Sequence, residues 1–222
     1  MAGPRRYKLL CPIARALDRV GDRWTLLILR DLHAGPARYS DLQSGLAGIA
    51  SNLLTDRLQQ LIDDGLVVKR DGDYGVTLYA LTDLGATTGD LLFELATFGG
   101  RFQPDEEPRR PGNLRTIVVT MRTAIQRIVT SDLSFDAELV IDGERFALSV
   151  HDGAVDMHAG TAQSPDVVLE SSYEPMMAVS EGEMAMEEFV GSHVTVTAPV
   201  AGKDQELLAL LASAMQAFRH DV

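Results

Sequence analysis

The succession of helix ends and turns between residues 11 and 82 constrains the fold of this 222-residue chain more than any other feature. After Asp22, apolar residues recur at helical spacing until Gly35-Pro36 interrupts the pattern. A shorter helical segment ends at Gly45 and a longer one at Gly65, and two short strands follow. Short helices followed by a strand pair are the order of a winged helix-turn-helix, whose second helix enters the major groove of DNA. The sequence therefore predicts binding to duplex DNA.

Local signals indicate where the shorter helices begin and where the strands turn. Ser40, with Gln43 three residues later, matches a capping box, and Ser51 can cap the next helix. Asp71-Gly72 lies between two apolar runs and predicts the turn of a hairpin. This hairpin is the predicted wing.

The helix that follows residue 50 has an apolar side and a polar side. Any soluble helix shows such a pattern, so this helix alone fits ordinary packing as well as DNA recognition. The order of elements favours recognition, because amide and hydroxyl groups can bond base edges while cations contact phosphates. The predicted base-reading residues are Ser51, Asn52, Thr55 and Gln59, and the predicted backbone contacts are Arg38, Ser40, Arg57, Lys69 and Arg70. The role of Asp56 stays open, since phosphates repel a carboxylate unless it pairs with a neighbour or accepts from cytosine.

Several motifs follow one another in this part of the chain: Cys11-Pro12, Gly21 with Arg23 to Arg30, Arg38 to Leu42, Leu54 with Arg57-Leu58, Asp64 to Leu66, and Tyr79 with Leu81-Thr82 and Gly85. In this order they resemble the HxlR-type bacterial regulators. The resemblance covers roughly residues 8 to 100. It implies a homodimer that binds a pseudo-palindromic operator with two helices about one helical turn apart. Asp71 and Asp73 depart from the pattern and weaken the expected contact between wing and phosphate.

Charge is distributed unevenly along the chain. The total is −12, which by itself argues against a nucleic-acid partner. Residues 1–70 hold 11 lysines and arginines against 7 acidic residues, a balance of +4, whereas residues 111–222 hold 6 against 17, a balance of −11. Because phosphates repel an acidic surface, only the amino-terminal part is expected to face DNA.

The length accommodates two domains, and a segment rich in proline and charge separates them. We expect a winged helix-turn-helix domain over residues 1–101, a linker over 102–113, and a second domain over 114–222. The helix predicted from Asp83 to Phe98 has an apolar side that fits either a core or a dimer surface. The family resemblance implies that it pairs across the dimer together with the helix from Pro12 to Val20.

The second domain has the pattern of an α+β fold with an antiparallel sheet. An amphipathic helix over 114–129 precedes strands over 135–141, 145–150, 155–158 and 167–171, with turns at Asp142-Gly143 and Asp152-Gly153. Two short helices, a strand over 194–198 and a final helix over 204–218 follow. This arrangement resembles a sterol-carrier-protein type domain, which implies an apolar ligand.

Methionines concentrate in the second domain, with seven of the eight beyond residue 120. Their flexible, polarizable side chains suit either a gap-filled core or a pocket for an apolar guest. The predicted pocket residues are Phe135, Leu139, Met157, Met176, Met177, Met184, Met186, Phe189 and Met215. We expect a hydrophobic small-molecule effector that favours one arrangement of the DNA-binding heads.

Cys11 is the only cysteine, so an intramolecular disulfide is excluded. It precedes Pro12 at a predicted helix start, and several cations are nearby in sequence, both of which favour a reactive thiolate. Some members of the resembling family sense oxidants or electrophiles at this position. The alternatives are a redox sensor and an inert, packed cysteine.

Motifs for catalysis are missing from the sequence. The five histidines include no pair at the spacing of a metalloprotease site, and no phosphate-binding or dinucleotide fingerprint occurs in the required setting. We therefore expect neither enzymatic activity nor a metal or cofactor. No signal peptide or membrane-spanning run is visible, so a cytoplasmic location is expected. The alternative to a regulator is a lipid-binding carrier or protein-interaction module that uses the winged helix as a dimerization scaffold.

Overall fold

The computed structural model describes residues 7–102 and 114–217, and the chain divides into two compact units with the boundary between Thr88 and Gly89. The predicted linker over 102–113 lies outside the described residues except for Phe102. The first unit contains α1 (Pro12–Val20), α2 (Thr25–His33), α3 (Tyr39–Gly45), α4 (Ser51–Asp63), β1 (Val67–Asp71), β2 (Thr77–Leu81) and α5 (Asp83–Ala86). Helix α6 (Thr88–Gly99) begins at the boundary and continues into the second unit.

A leucine face of α4 forms the centre of the first core. Leu54, Leu58 and Leu61 are completely or almost completely buried, as are Ile28 and Leu29 of α2. Burying one such side chain contributes about 1.5–3 kcal/mol, so this stripe fixes which face of α4 points to solvent. The strands β1 and β2 pair antiparallel, and β2 also exchanges two backbone hydrogen bonds with Ala37.

Two of the predicted caps are wrong. Helix α3 begins at Tyr39, where Asp41 accepts a hydrogen bond from the Arg38 amide at 3.1 Å, so Ser40 and Gln43 form no capping box. Helix α4 has Ala50 at its N-cap, and Ser51 is its first residue. Gln43 and Ser51 instead bond each other across the turn between the helices, where Gln43 Nε2 donates to Ser51 Oγ at 2.7 Å.

The predicted hairpin is confirmed, but its turn is longer than the Asp71-Gly72 signal indicated. Residues 72–76 connect the strands and include one 3-10 turn, Asp73–Gly75. Within it Tyr74 adopts φ +58°, a conformation that few non-glycine residues take, and Gly75 follows at φ +75°. The wing therefore has a tip that protrudes beyond its strands.

The second unit places helices beside a five-stranded sheet. After α6 come α7 (Thr116–Ile128), β3 (Phe135–Ile141), β4 (Glu144–His151), β5 (Ala154–Ala159), β6 (Val167–Ser171), α8 (Tyr173–Ser180), α9 (Met186–Ser192), β7 (Thr195–Thr197) and α10 (Lys203–Gln216). The strand order is β5-β4-β3-β6-β7. The core lies where α7 and α10 pack together and against the sheet.

The sequence predicted an antiparallel sheet, but the sheet in the structure is mixed. Strands β3, β4 and β5 form the predicted meander, but β6 pairs parallel to β3. At the start of β5, Gln126 of α7 accepts from the Val155 amide at 3.0 Å and donates to the Gly153 carbonyl at 2.9 Å. Strand β6 pairs with the opposite edge of the meander, on β3.

Candidate nucleic-acid interface

The solvent face of α4 carries all four predicted base-reading residues. Ser51, Asn52, Thr55 and Gln59 are exposed, on the side opposite the buried leucines. Thr55 Oγ1 donates to the Ser51 carbonyl at 2.9 Å, and Gln59 Nε2 donates to Asp63 Oδ1 at 2.8 Å. The face therefore presents amides and hydroxyls to solvent, partly held by bonds within the helix.

The contact between α3 and α4 is fixed by a residue to which the sequence analysis gave no role. The Tyr39 hydroxyl donates to the Ser51 carbonyl at 2.7 Å, in the first turn of α4. Together with the bond from Gln43 to Ser51, it sets the position of α4 relative to α3. Tyr39 lies within the family motif, but the sequence did not reveal the partner of its hydroxyl.

The predicted backbone contacts divide into two groups. Arg38, Ser40, Lys69 and Arg70 are exposed, on the first turn of α3 and on β1. Lys69 Nζ lies 5.8 Å from the ring centroid of Tyr79, the residue opposite it in β2. Cations on a protruding hairpin can approach a phosphate backbone.

Arg57 does not belong with that exposed group. Its Nη2 donates to Asp22 Oδ2 at 2.8 Å and its Nη1 donates to Gln60 Oε1 at 3.2 Å, while its buried Nε has no hydrogen-bond partner among the described residues. Burial alone would raise the pKa of Asp22, but the bonds from Arg57 and from the Trp24 amide outweigh it, so the pKa lies below its ordinary value. The guanidinium therefore ties α4 to the start of α2.

The tip of the wing combines an aromatic ring with carboxylates. Tyr74 is fully exposed, and Asp71 and Asp73 beside it are exposed as well. Sequence reasoning had identified the two carboxylates but missed the tyrosine, whose conformation depends on the longer turn. The acidic tip leaves Lys69 and Arg70, farther along β1, as the cations of the wing.

Each unit exposes an apolar helix face. On α1 and the residues before it, Leu9, Leu10, Ile13 and Leu17 are exposed, and Leu10 is completely so. On α6 the exposed large apolar residues are Leu91, Leu95 and Phe98, which lie on one helix face. Large exposed apolar surfaces of this kind mark interaction sites. Cys11 is exposed at the N-cap of α1, with Pro12 next to it.

The predicted ligand-pocket residues lie mainly in the second core. Phe135, Leu139, Met157, Met176, Phe189 and Met215 are buried, and Met177, Met184 and Met186 are half-buried. Two clefts in this unit, of about 460 and 320 Å³, are lined by other side chains. Neither cleft brings the predicted residues together.

The described part of the chain has neither a cluster of metal ligands nor a helix able to span a membrane. Over residues 7–102 and 114–217, no group of three or more histidine, cysteine or acidic side chains is placed to hold a metal ion. Within the same ranges, no helix combines the length and apolar character needed to cross a bilayer.

Comparison with known proteins gives matches that centre on the first unit. Residues 19–107 match the family model of the HxlR-like helix-turn-helix. An HTH-type transcriptional regulator of Mycobacterium tuberculosis is 36% identical over 97 residues, which cover 43% of this chain and 61% of the relative. YvaP, an HTH-type transcriptional regulator of Bacillus subtilis, is 34% identical over 91 residues, which cover 39% of this chain and 83% of the relative.

A solved structure gives a further match. A protein from Thermoplasma volcanium, described as a possible HxlR family transcriptional factor, is 34% identical, and the match covers 40% of this chain and 82% of that one with a TM-score of 0.36. The chain spans 61% of the length of the mycobacterial relative. The family match ends at residue 107, so most of the second unit lies beyond it.

Proposed function

The chain belongs to the HxlR-like helix-turn-helix family, and from this premise we propose that it is a sequence-specific, DNA-binding transcriptional regulator that acts as a homodimer. The observation that carries the proposal is the exposed polar face of α4 beside a cationic wing strand. Amides at Asn52 and Gln59 can pair with adenine, and hydroxyls at Ser51 and Thr55 can bond several base edges. Arg38, Lys69 and Arg70 supply cations for phosphates.

Two apolar faces support the homodimer. A monomer rarely exposes Ile13 and Leu17 on one helix, with Leu10 just before it, and Leu95 and Phe98 on another helix without a partner. A second copy of the chain would cover them and place two α4 helices on one side of the duplex. The operator would then be pseudo-palindromic.

The second unit is proposed to receive a hydrophobic effector. Its support is the methionine-rich composition of α8 and α9 and the resemblance to a sterol-carrier-type domain. An effector changes DNA affinity only if it binds one arrangement of the dimer better than another. The acidic balance of this unit keeps it away from phosphates.

Cys11 is a second candidate sensor, because its exposure at the start of α1 makes it accessible to oxidants. In a dimer joined through α1, oxidation can link two copies. Operator release by an oxidant should then disappear in Cys11→Ser, and unchanged release in that variant would exclude the thiol.

Selection of genomic fragments with the purified protein tests the main proposal. We expect one or a few fragments to be retained, with an affinity that falls steeply as salt rises, because phosphate binding releases counterions. Asn52→Ala should weaken binding to the selected fragment by about tenfold, the cost of losing a base contact. Gln216→Ala, at the exposed end of α10, is the matched control and should bind as the wild type does.

A lipid-binding carrier with a winged helix as scaffold is the alternative. The observations that favour it are the net charge of −12 and the carboxylates Asp71 and Asp73 on the wing. Retention of no genomic fragment even at low salt would contradict the regulator and favour the carrier.

A further inference from the structure

Arg127 of α7 holds α6 through three contacts. Its Nη2 lies 2.9 Å from Asp90 Oδ1, its Nη1 lies 3.0 Å from Glu94 Oε1, and its guanidinium carbon lies 4.2 Å from the ring centroid of Phe93. Each exposed ion pair alone is weak. Two carboxylates one turn apart with a buried ring between them, however, fix the planar guanidinium in one orientation. We call these residues the Arg127 clamp.

Ile128, the residue after Arg127, lines a cleft of about 460 Å³ between the end of α7 and α10. The apolar lining residues are Ile128, Leu133, Ala209 and Leu210. The volume falls in the range of small-molecule sites and most of the lining is apolar, although the cleft is shallow and opens broadly to solvent. None of the pocket residues expected from the sequence lines this cleft.

Three polar side chains at the cleft restrict the chemistry of an occupant. Glu206 is the charged residue of the lining, and both its carboxylate oxygens accept from Lys203 Nζ, at 3.0 and 2.9 Å. Because Lys203 neutralises this carboxylate, the lining offers no free charge, and a charged ligand would lose its hydration there without a compensating partner. Ser213 donates its hydroxyl to the Ala209 carbonyl, so it can accept, and the Gln205 amide can both donate and accept.

We propose that this cleft binds a neutral, apolar small molecule with one hydrogen-bonding group, and that the Arg127 clamp couples binding in the cleft to α6. An occupant packs on Ile128 and fixes the last turn of α7, in which Arg127 lies. The clamp then fixes α6, whose exposed side carries Leu91, Leu95 and Phe98. This inference deepens the effector part of the proposed function by naming a site, a ligand class and a route, and it rests on that function only for the consequence at DNA.

The cleft is tested with the neutral fluorophore N-phenyl-1-naphthylamine on the full chain. We expect saturable binding that becomes at least about tenfold weaker in Ala209→Phe, because the added ring fills the cleft. Ala154→Phe, at an exposed position of β5, is the matched control and should bind as the wild type does. The sulfonated analogue 8-anilino-1-naphthalenesulfonate should bind more weakly than the neutral probe. Equal binding of the neutral probe to wild type and Ala209→Phe, or preference for the sulfonate, would overturn the site.

The route is tested by hydrogen exchange of the α6 amides with and without the neutral probe. In the wild type, saturating probe should slow exchange in α6 by about fivefold, at the lower end of usual coupling energies. In Arg127→Gln the probe should still bind, but it should no longer slow hydrogen exchange in α6. The double variant Asp90→Asn with Glu94→Gln breaks the same contacts from α6 and should behave alike.

The outcomes separate this inference from the DNA-binding proposal. The route would be overturned if bound probe does not slow α6 exchange in the wild type. It would also be overturned if the probe still slows α6 exchange in both clamp variants. Since neither readout involves DNA, the cleft and clamp can be established in a protein that retains no fragment, and they can fail in one that does.

Discussion

At the scale of single residues, Arg57 shows how position in sequence and position in space differ. Its place on α4, between Asp56 and the polar side chains, predicted a phosphate contact. The structure bonds its guanidinium to Asp22 and Gln60 instead. Because Asp22 lies 35 residues earlier in the chain, no local pattern could have revealed this pair.

The salt dependence of operator binding distinguishes a positioning role for Arg57 from a phosphate contact. Lys69→Gln should weaken binding and lower the slope of log affinity against log salt by about 1, because one phosphate contact is lost. Arg57→Gln should weaken binding while the slope stays that of the wild type. A slope lowered equally in both variants would show that Arg57 leaves Asp22 and contacts DNA.

Asp22 gives the bond to Arg57 a pH dependence. Its folded-state pKa lies below the ordinary 3.8, so its carboxylate stabilises the fold above that value and the contribution is lost as pH falls through the folded pKa. Asp22→Asn keeps an oxygen for the Trp24 amide but removes the charge. Near pH 7 the wild type should be more stable than this variant by about 1 kcal/mol, as measured by urea unfolding.

The difference between the two proteins should shrink as pH falls below 3.8 and vanish below the folded pKa. A difference that is the same at pH 7 and in that acid range would mean that the charge of Asp22 contributes nothing. The comparison with Asp22→Asn isolates this one carboxylate, because the two proteins share every other acidic residue.

At the scale of elements, two of the three Asp-Gly signals gave the predicted two-residue turns, whereas Asp71-Gly72 opened a longer turn and two predicted caps were wrong. Asp142-Gly143 and Asp152-Gly153 both join strands with positive φ at both positions, as the sequence predicted. Such a turn depends on two adjacent residues. The capping box at Ser40 failed because Gln43 found a partner on the next helix.

The exposed helix faces give a prediction at this scale. Leu95→Glu combined with Phe98→Glu should shift the protein from dimer to monomer in sedimentation, because burying a carboxylate in an apolar interface is costly. Val200→Glu replaces another exposed apolar residue and should leave the dimer intact. A dimer that persists in the double variant would remove α6 from the interface.

At the scale of the whole molecule, the chain divides into two units with separate cores. The sequence predicts two domains joined by a segment over 102–113, and the two compact units of the structure divide between Thr88 and Gly89. Contacts such as those of the Arg127 clamp group most of α6 with the second unit. The predicted linker, outside the described residues but for Phe102, stays a prediction.

Separate cores predict separable responses to core mutations. Leu54→Ala should destabilise the first unit and Leu139→Ala the second, each by about 2–5 kcal/mol, because both side chains are almost completely buried. Hydrogen exchange resolved by segment measures both at once. Each variant should speed exchange in its own core and leave the other unchanged. Equal effects on both cores would show a single cooperative unit.

The sequence by itself determined the helix-turn-helix order, the exposed polar face of α4, the hairpins and the difference in charge between the two parts of the chain. These depend on residues close in sequence: periodicity sets a helix face, and an Asp-Gly pair sets a turn. Only the tertiary structure decided that Arg57 bonds Asp22, that β6 lies parallel to β3, and that Arg127 contacts α6. Each of these contacts joins residues about 30 or more positions apart, and their partners are selected by which edges, charges and apolar faces remain free after local structure has formed.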